Sequence, residues 1–248
     1  MNNKTDFSFT SSVVLVPFFL VLLLWTVYYL ELAFGINLNS YGIYPRSLLG
    51  LRGIVFSPFL HASISHLGNN TLPIAVLSMA LFYFYRPLAW KVLLYGTIIT
   101  GLSTWLIGRP SYHIGISGVI YLLASFIFFK GIRTKHYRLT ALSLFVVFMY
   151  GGMLWYVFPL KDGISWEGHL SGFVVGVFLA FLLPNHVTKP KQYAWEQEDY
   201  NEEEDEFLKH FDKDGNFIEH KEEEEEVSSA LKITYHFKST ASKNDKAD

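Results

Sequence analysis

Five polar side chains sit at the edges of apolar blocks that are long enough to cross a bilayer. His61, His66 and Asn70 surround the start of one block, Ser117 opens another, and His169 opens a third. Polar groups inside a membrane cost free energy, so such residues mark function by default. In a helix His66 and Asn70 are four apart and share a face, where two donors at one depth can hold a developing oxyanion. His61 comes five before His66, about 140° further round, so it caps the helix or sits in the loop before it. The plainer alternative is a polar helix end that meets headgroup water.

Ser117 lies in His113-Ile114-Gly115-Ile116-Ser117-Gly118. The glycines Gly115 and Gly118 permit a tight turn into the helix and close approach of another backbone. A serine at a helix N-terminus has unpaired backbone N–H groups and the positive end of the dipole beside it. Alone, this motif fits an N-cap serine equally well. It does not match the nucleophile elbow of soluble hydrolases, because no strand precedes it. His169 lies in Gly168-His169-Leu170-Ser171-Gly172-Phe173-Val174-Val175-Gly176. Gly172 and Gly176 share its helical face, and a Gly-x-x-x-Gly face lets two membrane helices nearly touch. If that face meets the span of Ser117, the imidazole comes within the ~2.6–3.2 Å that a general base needs. Tyr121, four after Ser117, shares the serine's face and can buttress the ring. A histidine bonded to a backbone carbonyl at a helix interface is the bland alternative.

Other chemistries fit less well. A zinc protease needs His-Glu-x-x-His, which is missing here, and His61 and His66 lack both the spacing and the glutamate. No aspartate falls inside a span, which argues against an aspartyl dyad. Cysteine is absent, which removes disulfides, thiolate metal sites and a cysteine nucleophile. No metal or cofactor is expected. No basic stripe interleaved with aromatics points to nucleic acid.

The elements that must position these residues are membrane helices. The 248 residues are 51% hydrophobic with a net charge of −2, an average over an apolar part to about residue 184 and a charged part beyond. Six spans of roughly bilayer length are predicted, at 13–34, 66–85, 91–108, 114–130, 138–158 and 166–184. Small residues in the third (Gly96, Gly101, Ser103, Thr104) suit a packed face. Lys130 and Pro184 read as stops for the fourth and sixth. The first span is longer than the core of a cleaved signal peptide. Loop lysines and arginines are richer on the side shared by the termini, which predicts both termini in the cytoplasm. On the opposite side, residues 35–65 carry Leu48, Leu49, Leu51, Ile54, Val55 and Phe56, so this loop is expected in the interface.

Residues 1–12 thus read as a cytoplasmic N-terminus, 13–184 as a six-helix membrane domain and 185–248 as an acidic cytoplasmic tail, largely flexible. Asp214-Gly215 and the alternation of Leu231, Ile233, Tyr235 and Phe237 are compatible with a small hairpin there. The run Asp212 to Asn216 resembles a calcium loop, but its glycine comes too early for an EF-hand.

Together, HASISHLGNN (His61, His66, Asn70), GISG with Tyr121 four beyond its serine, and GHLSGFVVG resemble the rhomboid family of intramembrane serine proteases. The resemblance covers about residues 40–184. It implies an all-α polytopic six-helix bundle in a bacterial inner (plasma) membrane. Ser117 and His169 would be a catalytic dyad without an aspartate. His66, Asn70 and the Ser117 N–H would form the oxyanion hole, Tyr121 would pack on the base, and His61, Gly115 and Gly118 would support the site. Implied substrates are single-span or polytopic membrane proteins with a locally unstable helix and a small residue at the cut. Leu51-Arg52 stands where the family usually has Trp-Arg, and Ile116 where an alanine is common. A second reading, from another class, is a catalytically silent rhomboid-like protein that retains or escorts membrane clients.

Overall fold

The computed structural model describes residues 7–160, 163–185, 193, 195 and 199–218. The chain divides into two units, residues 1–190 and 191–248. Among the described residues of the first unit, seven α-helices carry the fold: α1 Ser11–Phe34, α2 Gly53–Phe56, α3 Ile64–Phe84, α4 Arg86–Ile107, α5 Ser117–Thr134, α6 Tyr137–Tyr150 and α7 Trp166–Leu182. A 3-10 helix, Gly151–Val157, continues α6. Five of these segments are long and apolar enough to cross a membrane, and α7 is a shorter apolar helix of 17 residues.

Each span expected from the sequence coincides with a helix, and the boundaries that moved have local causes. The fourth span begins at Ser117, not 114, because Gly115 takes φ +103°, which no helix continues. It also runs past Lys130 to Thr134. Lys130 is no stop: its side chain is buried and turns inward, and Nζ donates to the carbonyls of Ala180 (3.2 Å) and Leu183. Arg133 donates to Phe181 O at 2.5 Å. The two cations thus supply donors to the last carbonyls of α7, which lack intrahelical partners. The third span starts at Arg86 because Pro87 suits the first helical turn, where a missing N–H costs nothing.

Helix α5 is the centre of the bundle. It packs against α7, α6, α4 and α3, while α1 lies on α3. The apolar core runs through Leu67, Ile74, Leu77, Leu81, Ile120, Leu123, Phe126 and Ile127. Large apolar side chains such as Phe18, Leu94, Leu144 and Phe178 remain exposed on the outside, as lipid-facing helices require. At 17 residues α7 spans only ~25 Å, less than a ~30 Å hydrocarbon core.

The loop before α3 is folded rather than slack. Ile43 and His113 exchange backbone hydrogen bonds of 3.0 and 2.8 Å, Arg46 Nη1 donates to Gly108 O at 2.9 Å, and Trp105 Nε1 donates to Ser47 O at 2.9 Å. Arg52 sits over the Tyr41 ring at 4.2 Å. Leu48 and Leu49 remain 85% and 72% exposed, an apolar surface for the membrane interface.

Within the second unit, Phe211 and Phe217 form a bridge around a turn in which Asp212 Oδ1 accepts the N–H groups of Asp214 (2.9 Å) and Asn216 (2.8 Å). The alternating segment 231–237 lies outside the described residues.

Candidate active site

Helices α5 and α7 meet backbone to backbone. A Cβ placed on Gly172 would run into the carbonyl of Gly118, and one on Gly176 would run into Leu122 O and Ser125 Oγ. A Cβ on Gly118 would lie 3.1 Å from Gly168 O. Only glycine permits this approach, and it brings the first turns of both helices together.

Across that seam Ser117 Oγ lies 2.9 Å from His169 Nε2. The other ring nitrogen, Nδ1, is 2.9 Å from the carbonyl of Tyr156. A carbonyl only accepts, so Nδ1 carries the proton, and Nε2 is left with a lone pair facing the serine hydroxyl. The Tyr121 ring stacks on the imidazole with centroids 4.3 Å apart and planes 15° from parallel. Its hydroxyl donates to Met153 O at 2.5 Å. The ring is therefore fixed at its edge and on its face, both through the 3-10 segment that continues α6. His169 is 8% exposed.

His66 and Asn70 approach the same point from α3. A Cβ at Gly115 would lie 2.8 and 2.9 Å from the His66 ring atoms Cε1 and Nε2, and 3.9 Å from Asn70 Nδ2. Gly115 is held in its positive φ by donating its N–H to Ser57 O at 2.8 Å. Asn70 Nδ2 is buried with no acceptor among the described residues. Ser63, not His61, caps α3, its hydroxyl accepting the His66 N–H at 3.1 Å. His61 sits buried in the loop, edge-on to the His66 ring at 5.0 Å. Burial first, and then the neighbouring His66, pushes His61 down to about 4, against a weaker upward pull from the Phe59 backbone. It is neutral near pH 7.

A cavity of about 40 Å³ adjoins Ser117, bordered by Ser57, Thr100, Thr104, His113 and Ser165. Ile43, Ile54 and Val119 line it too, and a space of this size has room for water, which needs ~10–15 Å³.

Several residues here carried no weight in the sequence reading. Tyr156 and Met153 act through backbone carbonyls, which have no side-chain signature. Glu167 left a legible sign, an acid at the start of an apolar span two positions before His169. Its side chain is buried, with Oε1 accepting the Arg109 N–H at 3.1 Å. Among the described residues no group of three or more His, Cys, Asp or Glu is arranged to hold a metal.

The comparisons with known proteins agree with this architecture. A family model described as Rhomboid domain matches residues 49–186, more than half of the chain, and spans all three motifs. Uncharacterized proteins of Mycobacterium bovis and Mycobacterium tuberculosis are each 36% identical over 179 residues, covering 66% of this chain and 72% of theirs. An uncharacterized protein of Mycobacterium leprae is 34% identical over 163 residues, covering 59% of this chain and 62% of its own. On the breadth of the family match and the identity of these relatives, the chain belongs to the rhomboid family and is a multi-pass integral membrane protein.

Proposed function

We propose that this protein is an intramembrane serine endopeptidase that cleaves transmembrane-helix substrates near the outer membrane face with Ser117 and His169. The observation that carries the reading is the 2.9 Å approach of Ser117 Oγ to an imidazole nitrogen whose partner nitrogen faces a carbonyl. His169 Nε2 takes the hydroxyl proton as Oγ attacks the scissile carbonyl carbon. The resulting oxyanion lies among the Ser117 N–H, His66 and Asn70 Nδ2, where one preorganised donor is worth ~3–4 kcal/mol at the barrier. When the intermediate collapses, the imidazolium gives its proton to the departing amine and an acyl-enzyme remains. Water then repeats the sequence, with His169 as base and Oγ as leaving group.

The buried, acceptor-free Nδ2 of Asn70 supports an oxyanion role, because a buried donor without a partner is costly unless a ligand uses it. The small cavity beside Ser117, with Ser57, Thr100, Thr104 and Ser165 among its lining residues, supports a place for the hydrolytic water. Single-span or polytopic membrane proteins are the proposed substrates, reached within the lipid bilayer. The termini are proposed to be cytoplasmic, with the dyad toward the opposite face.

Purified protein in liposomes should cleave a model single-span substrate, and Ser117→Ala and His169→Ala should each remove the activity while leaving the melting temperature within a few degrees. Cleavage at the wild-type rate by Ser117→Ala would end the dyad assignment. A folded wild-type protein that binds membrane clients without cleaving any would favour the silent binder.

A further inference from the structure

The two dyad residues are each preceded, at a distance of four positions, by one member of a polar contact. His113 stands four before Ser117, Ser165 stands four before His169, and His113 Nδ1 meets Ser165 Oγ at 2.6 Å. The other nitrogen of His113 faces Arg109 O at 3.1 Å. That carbonyl requires a proton on Nε2, so Nδ1 accepts the Ser165 hydroxyl proton. The same Ser165 oxygen caps α7 by accepting the Gly168 N–H at 3.3 Å. Burial first of all holds His113 below the ordinary imidazole range, against upward pulls from the Arg109 carbonyl and Glu167, consistent with a neutral ring.

Arg109 and Glu167 tie the same two segments a second time. Glu167 Oε1 accepts the Arg109 N–H at 3.1 Å and lies 3.8 Å from Nε, while Arg109 Nη2 donates to Ile164 O at 2.6 Å. Glu167 is 1% exposed, and its Oε2 has no hydrogen-bond partner among the described residues. Its own helix end is already capped by Ser165, so capping does not account for it. A buried carboxylate with one oxygen unsatisfied is a poor stabiliser. Its position between two chain segments gives it another use.

We propose that Glu167 is a positioning residue: with Arg109, His113 and Ser165 it clamps the loop 108–116 to the first turn of α7, and so sets the distance between Ser117 and His169. The glycine seam fixes how closely α5 and α7 approach, and Lys130 and Arg133 of α5 hold the far end of α7 through the carbonyls of Ala180, Phe181 and Leu183. The clamp lies one helical turn outside the dyad and supplies the fixed point at the end of α7 that carries His169. Glu167 touches neither reacting atom and works only through the backbone. A misplacement of ~1 Å at a catalytic pair costs on the order of 100-fold in rate.

This inference rests on the protease reading, and the test separates the two. For full-length wild type, Glu167→Ala, Glu167→Gln and His113→Ala in liposomes, kcat and KM are measured on a model single-span substrate, beside the rate of Ser117 labelling by a fluorophosphonate. Glu167→Ala and His113→Ala should lower kcat and the labelling rate by ~10- to 100-fold with KM within about twofold. Glu167→Gln should recover to within about threefold of wild type, because its carboxamide oxygen still accepts from Arg109. Wild-type kcat in Glu167→Ala or His113→Ala overturns the clamp, as does a Glu167→Gln variant no better than Glu167→Ala. If Glu167→Ala gives no folded protein, His113→Ala carries the same two outcomes. An unlabelled, inactive wild type instead overturns the protease reading itself.

Discussion

A serine hydroxyl is a weak nucleophile, and among the described residues no carboxylate lies at hydrogen-bond distance from His169, the proposed base. Nδ1 of His169 rests on the Tyr156 carbonyl, a neutral acceptor, and the ring plane rests on Tyr121. In the proposed reaction, orientation would do the work that an aspartate shares in a triad. Removing the stacked ring with Tyr121→Ala should lower kcat by ~10-fold or more, while Tyr121→Phe, which keeps the ring and loses the bond to Met153 O, should lose less. Steady-state kinetics on the two variants checks the order, and equal losses would shift the weight to the hydroxyl. Asn70→Ala removes one of the proposed oxyanion donors and should cost ~100-fold in kcat with little change in KM.

The second histidine of the cluster makes a prediction about stability. His61 is held at about 4 in the folded state, against 6.5 for an ordinary imidazole. The unfolded chain therefore binds more protons between those values, and stability falls as the pH drops from 6.5 toward 4. His61→Phe should flatten the melting temperature over that window, as read by thermal unfolding at several pH values in detergent. An unchanged slope would assign the acid sensitivity to other groups.

At the scale of elements, the seam of α5 and α7 depends on three glycines, and the turn before α5 on a fourth. Gly176→Val should disrupt the seam and lower both the melting temperature and the activity, because the new side chain meets the backbone of α5. Gly115→Ala is a subtler change. Its Cβ would lie 2.8 Å from the His66 ring at a φ of +103°, so activity should fall further than stability. Melting curves and cleavage rates compared side by side measure both. A close-packed face at Gly172 and Gly176 was legible because Gly-x-x-x-Gly spacing lets a second helix approach, but which span meets that face was open in the sequence. The ends of α5 were not. Lys130 reads as a charged stop, yet it turns inward to the carbonyls of a helix far away in sequence, a tertiary partner that no local pattern reveals. The acceptors at Tyr156 and Met153 were hidden for a similar reason, since any residue offers the same carbonyl. Glu167 was visible as an acid in an apolar block, but its use appears only once Arg109 is brought beside it.

For the whole molecule, the apolar belt, the family match and the inward-facing polar cluster all describe a chain built for lipid surroundings, with its reactive groups screened from lipid by the bundle. The succession of apolar blocks was legible because bilayer thickness sets the length of a crossing; five of the six expected spans reach it and α7 is shorter. The sidedness proposed from loop charges can be checked simply, because the chain has no native cysteine. Lys135→Cys should react with an impermeant maleimide only from the cytoplasmic side and Tyr112→Cys only from the other, while the reverse pattern would invert the topology. The second unit, residues 191–248, contributes none of the residues proposed here for catalysis. The measurement that bears most directly on the dyad is peptide mapping after reaction with a fluorophosphonate. Wild type should carry one adduct, on Ser117, and His169→Ala should carry almost none; an unmodified Ser117 in folded wild type, or an undiminished adduct in His169→Ala, would contradict it.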